Sequence, residues 1–379
     1  LSTTISKIPK SNPANPKHGR VCQSLQSARS HMSGHEALHC SSEPVVALCM
    51  FGLSRAAELT QKSLRQNVYE PLARIGGTDV FIHSLLVGEL TNARSGENRV
   101  AISPGNFLKL GPACAVTAED QDEVDARLRA TLAYNFIINT PVVIAGDKGS
   151  RKNVIRAYYS LQRVAAMVIA HEQKKDFRYR MVAAARPDTA LMTRLPVEQL
   201  ALHFGLSLPS AMHRCKAGAG CGGHIPTNAS GVVVPYTHHW EGVNDRFAVG
   251  TRREMLEVYL SRWNAVQRVT AEVYDRMQVH PHPSSADGTR DRTRLAQTIR
   301  DTWGVMETPA SMANGENLTT FARAFAERWG LLEFPSNSET LLCAHLERHR
   351  MACHRIPICI VRVRATGKCH RYDLSPSSA

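Results

Sequence analysis

The chain has 379 residues, 43% apolar and 21% charged. That is enough for a buried core in one large domain or two ordinary ones, and it is not the make-up of a disordered or fibrous protein. Aromatic residues are only 6%, and no run reaches the roughly 18 uncharged apolar residues a membrane-spanning helix needs, so a soluble chain is expected. Lys plus Arg number 46 and Asp plus Glu 33, a net charge of +13 that favours phosphate, acidic sugars or anionic lipid as partners.

The arginines are spread along the chain and interleaved with acids, which argues against a nucleic-acid binder with its basic stripe and stacking aromatics. The early residues show no charged-then-apolar leader pattern, so a leader or anchor is expected to lie outside this chain. Ten cysteines are too few for a disulfide scaffold, although Cys215 and Cys221 bracket a Gly-rich stretch that an oxidising compartment would let them close. Asn228-Ala229-Ser230 and Asn317-Leu318-Thr319 fit the glycosylation acceptor pattern of a secretory lumen.

Residues 1 to 43 are rich in Ser, Pro, Asn and His without an apolar period, and read as an extended basic arm or stalk. The run Val45 to Phe51, ended by Gly52, predicts a strand buried on both faces. Ala57, Leu64, Val68 and Leu72 predict a helix stopped at Gly76-Gly77, and Asp79 to His83 a second strand, which makes a right-handed β-α-β unit with parallel strands. Residues 87 to 113 read as irregular, Ala118 to Leu132 as a short acidic helix, and Val142 to Ala145 as a strand.

Val154, Tyr158, Leu161, Ala165 and Val168 give the helix from about Arg151 to Lys174 one apolar face. Met181 to Ala185 is the next strand, ended by Arg186-Pro187-Asp188 because Pro cannot sit in a central ladder. After Val232 to Tyr236 and a turn-rich segment, Thr251 to Met277 predicts one long helix. Three more helices are expected near 293 to 303, 317 to 329 and 338 to 350, and a last strand over Ile358 to Val363. The fold class is therefore α/β, a mostly parallel sheet flanked by helices in a single large domain over residues 44 to 379.

In open α/β sheets the ligand sits beyond the carboxyl ends of the strands. That rule picks out Gly52 and Arg55 after the first strand, His83 after the second, and Arg186 and Asp188 after a middle one. A helix N-terminus beside Ser54 and Arg55 suits a phosphate; a capped helix with a surface arginine is the alternative. Gly218 to Gly223 matches G-x-G-x-x-G by letter but precedes Pro226 instead of a helix, and Gly146 to Ser150 lacks the Walker A spacing. His345 and His349, at i and i+4, suit zinc by spacing but lack a paired-cysteine knuckle; His238-His239 and His280-Pro281-His282 read as loop histidines.

The ordered series Met50 to Arg55, Asp79 to His83, Asn153 to Arg156 with Tyr159-Ser160-Leu161, Arg186-Pro187-Asp188, Asn244 to Gly250 and Ser338 to Leu342 resembles a little-characterised group of glycosyltransferase-like proteins of plants, algae and bacteria. The resemblance covers roughly residues 44 to 373. It implies a GT-A-type, Rossmann-like fold that binds a nucleotide sugar and, in eukaryotes, usually faces the Golgi lumen.

Glycosyl transfer needs a group that neutralises the leaving diphosphate, groups that hold the sugar and, for inversion, a carboxylate that deprotonates the acceptor hydroxyl. The candidates around the nucleotide sugar are Gly52, Arg55, His83, Arg186, Asp188 and Asn244, and Asp245 and Glu339 are the candidate catalytic carboxylates. Asp245, expected just before a helix, is equally a turn-capping residue, and Glu339 equally a first-turn helix acid. Many GT-A enzymes hold Mn²⁺ or Mg²⁺ with an Asp-x-Asp; here Arg186 stands where the first acid would be, leaving Asp188 as metal ligand or Arg55 and Arg186 to neutralise the phosphates alone. The departure supports a second expectation: an inactive glycosyltransferase-like domain docked through residues 1 to 43 as a structural subunit of a larger assembly, with an organellar complex as the alternative location.

Overall fold

A computed structural model describes residues 40–42, 44–92, 96–139, 148–206, 230–236, 245–279, 338–356 and 358–367. Apolar runs build the sheet centre. In β1 (Pro44–Leu53), Val46, Leu48 and Met50 turn to one face and Ala47, Cys49 and Phe51 to the other, all at most 2% exposed. A strand covered on both sides has no polar face, hence the unbroken apolar run. β2 (Gly77–Leu86) pairs parallel with β1, Leu48 opposite Val80, and on its other side with β5 (Ala115–Asp120). β6 (Met181–Ala185) lies parallel on the far side of β1, Leu48 opposite Ala183. β8 (Val232–Pro235), β9 (Phe247–Thr251) and β10 (Cys353–Ile356) complete a seven-stranded sheet ordered β10-β8-β9-β6-β1-β2-β5, in which β9 alone runs antiparallel to its neighbours. The expected mostly parallel sheet flanked by helices is present.

One face carries α1 (Ala57–Leu64), continued through a π turn (Arg65–Tyr69) into α2 (Glu70–Ala73), which buries Leu64, Val68 and Leu72. The other carries α3 (Gln121–Arg129), α4 (Leu132–Asn139) and the long α5 (Lys148–Lys175), whose Ile155, Tyr158, Leu161, Val164 and Val168 pack on the sheet. α6 (Val197–His203) joins the first face, and α7 (Arg262–Val279) and α8 (Ser338–Arg348) the second.

Several expectations are corrected. The segment 87 to 113 holds a hairpin, β3 (Glu89–Asn92) with β4 (Glu97–Ala101), and a 3-10 turn over Asn106–Leu110. Ala118 belongs to β5, and the acidic helix starts only after Asp120, whose Oδ1 accepts from the amides of Asp122 and Glu123 at 2.9 and 3.1 Å. Thr251 to Met277 is not one helix: a π turn (Arg253–Val258) and a 3-10 turn (Tyr259–Ser261) precede α7. Met255, Leu256, Val258, Tyr259 and Leu260 are all buried, more than a single 3.6-period stripe can place inside. The expected strand at Val142 to Ala145, the helices near 293 and 317, and the loops around Cys215, Gly218, His238 and His280 lie outside the described residues.

The root of the N-terminal arm is fastened to this sheet. Cys40 forms a disulfide with Cys114, 74 positions away, and Ser41 N donates to Asp79 Oδ1 at 2.5 Å. A small second sheet pairs β7 (Thr189–Leu191) antiparallel with β11 (Ile360–Arg362), Thr189 opposite Arg362.

Candidate functional site

The chain progresses from β1 through β2 to β5 at one edge, then crosses through α5 back to β6 on the opposite side of β1. Between β1 and β6 the direction of winding reverses. Loops leaving the carboxyl ends of these two strands diverge there, and such a switch point is where open α/β sheets hold ligands.

From β1 the chain leaves through Gly52, at φ +99°, a conformation that favours glycine. Gly52 N donates to Ser160 Oγ at 2.7 Å, Asn106 Nδ2 to Ser54 O at 2.8 Å, and Ser54 Oγ meets Ser84 Oγ at 2.9 Å. These bonds aim Arg55 across the switch point, where Nη2 reaches Asp188 Oδ2 at 2.7 Å and Nη1 reaches Glu97 Oε2 at 3.1 Å. From β6 come Arg186 and Asp188. Arg186 Nε donates to Asp188 Oδ1 and Nη2 to Oδ2, both at 3.0 Å. Thr60 Oγ1 fixes the turn by donating to Pro187 O at 2.5 Å.

Asp188 is 2% exposed. Burial alone would raise its carboxyl pKa, but Arg186 and Arg55 more than offset that and hold it well below the usual carboxylate range. Arg186 is surrounded in turn: burial works against its charge, and Asp188, Asp245 and Glu339 outweigh it, so its pKa is raised. The structure thus brings Arg55, Arg186, Asp188, Asp245 and Glu339 into one charged cluster. Tyr158 stands in the same field, its phenol pushed up by burial and by Asp245 and Glu339 against the lowering effect of Arg262.

Asp245 reaches the cluster differently from the expectation. It precedes a strand, not a helix: β9 runs antiparallel to β6, Ala185 opposite Phe247, so β9 begins where β6 ends. Arg186 N donates to Arg246 O at 3.0 Å, holding Asp245 beside the β6 exit. Glu339 does sit in the first turn of α8, 8% exposed. Asn244 lies outside the described residues.

His83 is not at a strand end. β2 continues to Leu86, and His83 pairs with Phe51 on one side and Thr117 on the other. It shares the face of Phe81 and Leu85, beneath α5, fully buried. Its Nδ1 lies 2.7 Å from Ser160 Oγ and its Nε2 3.2 Å from Glu119 Oε1. Burial lowers its pKa, outweighing Glu119, so it stays neutral and braces Ser160 under Gly52.

Sequence patterns missed the arginines of the C-terminal strand. Val363 N donates to Asp188 O at 2.8 Å and Ala365 N to Glu97 Oε1 at 2.9 Å, which sets Arg364 beside the Arg55 cluster. Burial and the neighbouring Arg246, Arg186 and Arg364 lower Arg362 to about 9; burial and Arg55 lower Arg364 to about 10. No periodic signal marks these residues, since β11 has only three residues.

The donor set does not fit Mn²⁺ or Mg²⁺ at Asp188. Both its oxygens already accept from guanidiniums, and the surrounding charge is cationic, whereas these ions need free oxygen ligands. A zinc site at His345 does not form either: its Nε2 bonds Val258 O at 3.1 Å and its ring packs edge-on against His349. Among the described residues, one cluster has metal-ligand proximity, Cys40, Cys114 and His171, and its two sulfurs are joined in the disulfide.

No protein-family model matches the sequence, and neither does any curated protein. Among solved structures, apo mouse xyloside xylosyltransferase 1 aligns with 83% of this chain and 85% of its own at 11% identity, with a TM-score of 0.31. The mannosyltransferase Ktr4p from S. cerevisiae, in complex with GDP, aligns with 93% of this chain and 82% of its own at 9% identity, with a TM-score of 0.29.

Proposed function

We propose that the chain is a glycosyltransferase-like protein of the GT-A type that binds a nucleotide sugar over the β1/β6 switch point and transfers the sugar to a glycan or protein acceptor. The observation that carries this is the convergence of Arg55, Arg186 and Asp188 with the carboxylates of Asp245 and Glu339. Guanidiniums supply the field that stabilises a departing nucleoside diphosphate. Asp245 is the general base: it takes the acceptor hydroxyl proton as that oxygen attacks the anomeric carbon and the diphosphate leaves with the bonding pair. Glu339, which acts on Arg186 alongside Asp245, orients the sugar or acceptor hydroxyls.

A specific observation also favours the inactive, structural reading. Asp188 is fully engaged by arginines, and Asp245 and Glu339 are each only 8% exposed. In that reading residues 1 to 43 dock the domain onto an assembly. The Cys40–Cys114 disulfide supports folding in an oxidising compartment, in line with the Golgi lumen, although an organellar complex is the alternative.

Thermal unfolding with UDP- and GDP-sugars separates the two. A working site raises stability by RT ln(1 + [L]/Kd), about 2.7 kcal/mol at a hundredfold excess over Kd. Asp245→Asn should keep that shift and lose turnover. Absence of any shift with every sugar nucleotide would overturn the transferase reading in favour of the structural one.

A further inference from the structure

Arg55 and Arg186, the cations flagged by their place after strands, are already spent on Asp188 and Glu97. Anion-binding capacity lies beside them. Arg364 is 4% exposed, its Nε has no hydrogen-bond partner, and no carboxylate lies within ion-pair distance of it among the described residues. Thr189, 1% exposed and opposite Arg362 in the β7–β11 pair, likewise has an unpartnered hydroxyl. Both are buried donors without a hydrogen-bond partner, and an anion would satisfy the two together.

We infer that Arg364, with Thr189, binds the diphosphate of the ligand directly, with no divalent cation. This rests on the nucleotide-sugar reading of the same site. The Nε–H edge of a guanidinium pairs with two phosphate oxygens at once, and the hydroxyl supplies a further donor. Burial, then Arg55 and Arg186, lowers the pKa of Arg364, and an anion beside it offsets that repulsion. Two functions sit side by side here: an Arg-carboxylate network that holds the strand exits in place, and a second set of donors kept open for ligand.

The test is calorimetry of UDP, GDP and inorganic pyrophosphate with the whole chain, in EDTA and with Mn²⁺ or Mg²⁺. Binding should be unchanged within twofold by EDTA. Arg364→Met should weaken it tenfold or more, Arg364→Lys several-fold, and Thr189→Val several-fold. Without ligand, Arg364→Met should melt at or above the parent temperature, because removing an unpaired buried cation relieves repulsion; an arginine with a merely structural role would lower it. Nucleotide binding that vanishes in EDTA refutes the inference and leaves the nucleotide-sugar reading standing. Pyrophosphate binding without any nucleotide binding supports the anion site and removes the nucleotide-sugar reading. Failure of all three ligands under both conditions refutes both.

Discussion

Asp188→Asn is the substitution on which the site's electrostatics turn. The carboxylate accepts three charged hydrogen bonds, at 2.7, 3.0 and 3.0 Å, from two guanidiniums while 2% exposed. Removing one partner of a buried ion network costs about 3–5 kcal/mol, because the other charges stay buried and uncompensated. Arg55 keeps Glu97 at 3.1 Å, and Arg186 keeps the fields of Asp245 and Glu339, so the lower end, about 3 kcal/mol, is expected. Urea unfolding at pH 7 measures it, with the slope unchanged and the midpoint lowered. The pH dependence supplies an internal check. Asp188 has a folded pKa below its unfolded value near 3.9, so its contribution is complete above that value and is lost as pH falls through the folded pKa. Parent and variant curves should therefore differ fully at pH 7 and converge only below about pH 4. Combining Asp188→Asn with Arg186→Met should recover at least about 1 kcal/mol relative to the sum of the single changes. A loss under about 1 kcal/mol, or strict additivity, would show that the network is not what holds the β1 and β6 exits together.

Two further outcomes follow from groups away from the site. Replacing Cys40 and Cys114 by Ser opens a loop of 74 residue separations, for which chain entropy predicts a loss of about 4 kcal/mol; a urea midpoint indifferent to dithiothreitol would contradict the fastening of the arm's root. Burial, reinforced by His349, lowers His345 to about 3 despite its bond to Val258 O. The unfolded imidazole takes its proton near 6.5, so between these values the unfolded state binds more protons and stability falls as pH falls. At pH 5 the deficit relative to pH 7 is about 2 kcal/mol from this group, and His345→Gln should remove it; an equally steep acid limb in the variant would refute the assignment.

Much of the fold was legible along the chain. β1, β2 and β6 announce themselves as continuous apolar runs because both their faces are covered, and α5 through a stripe that packs on them. β5 and β10, the two outer strands, passed unread. An edge strand is only partly buried, so Thr117, Glu119 and Asp120, or Cys353, His354 and Arg355, break the apolar signal while the backbone still pairs. His83 is a different case: pairing to β1 and β5 carries its strand through the buried Ser84 on to Leu86, and only that pairing shows that the strand does not end at His83.

For the site, local sequence determined which residues leave the sheet at its carboxyl edge: Arg55 after Gly52, and Arg186 and Asp188 where Pro187 ends a ladder. Tertiary structure decided which of them meet. The return crossover through α5 puts β6 beside β1, the antiparallel entry of β9 delivers Asp245, and β11 carries Arg364 to Asp188 across most of the C-terminal half. Apolar periodicity is set by each element's own burial and extends only a few residues. Charge convergence depends on which strand edges find one another, and no short stretch of chain encodes that pairing.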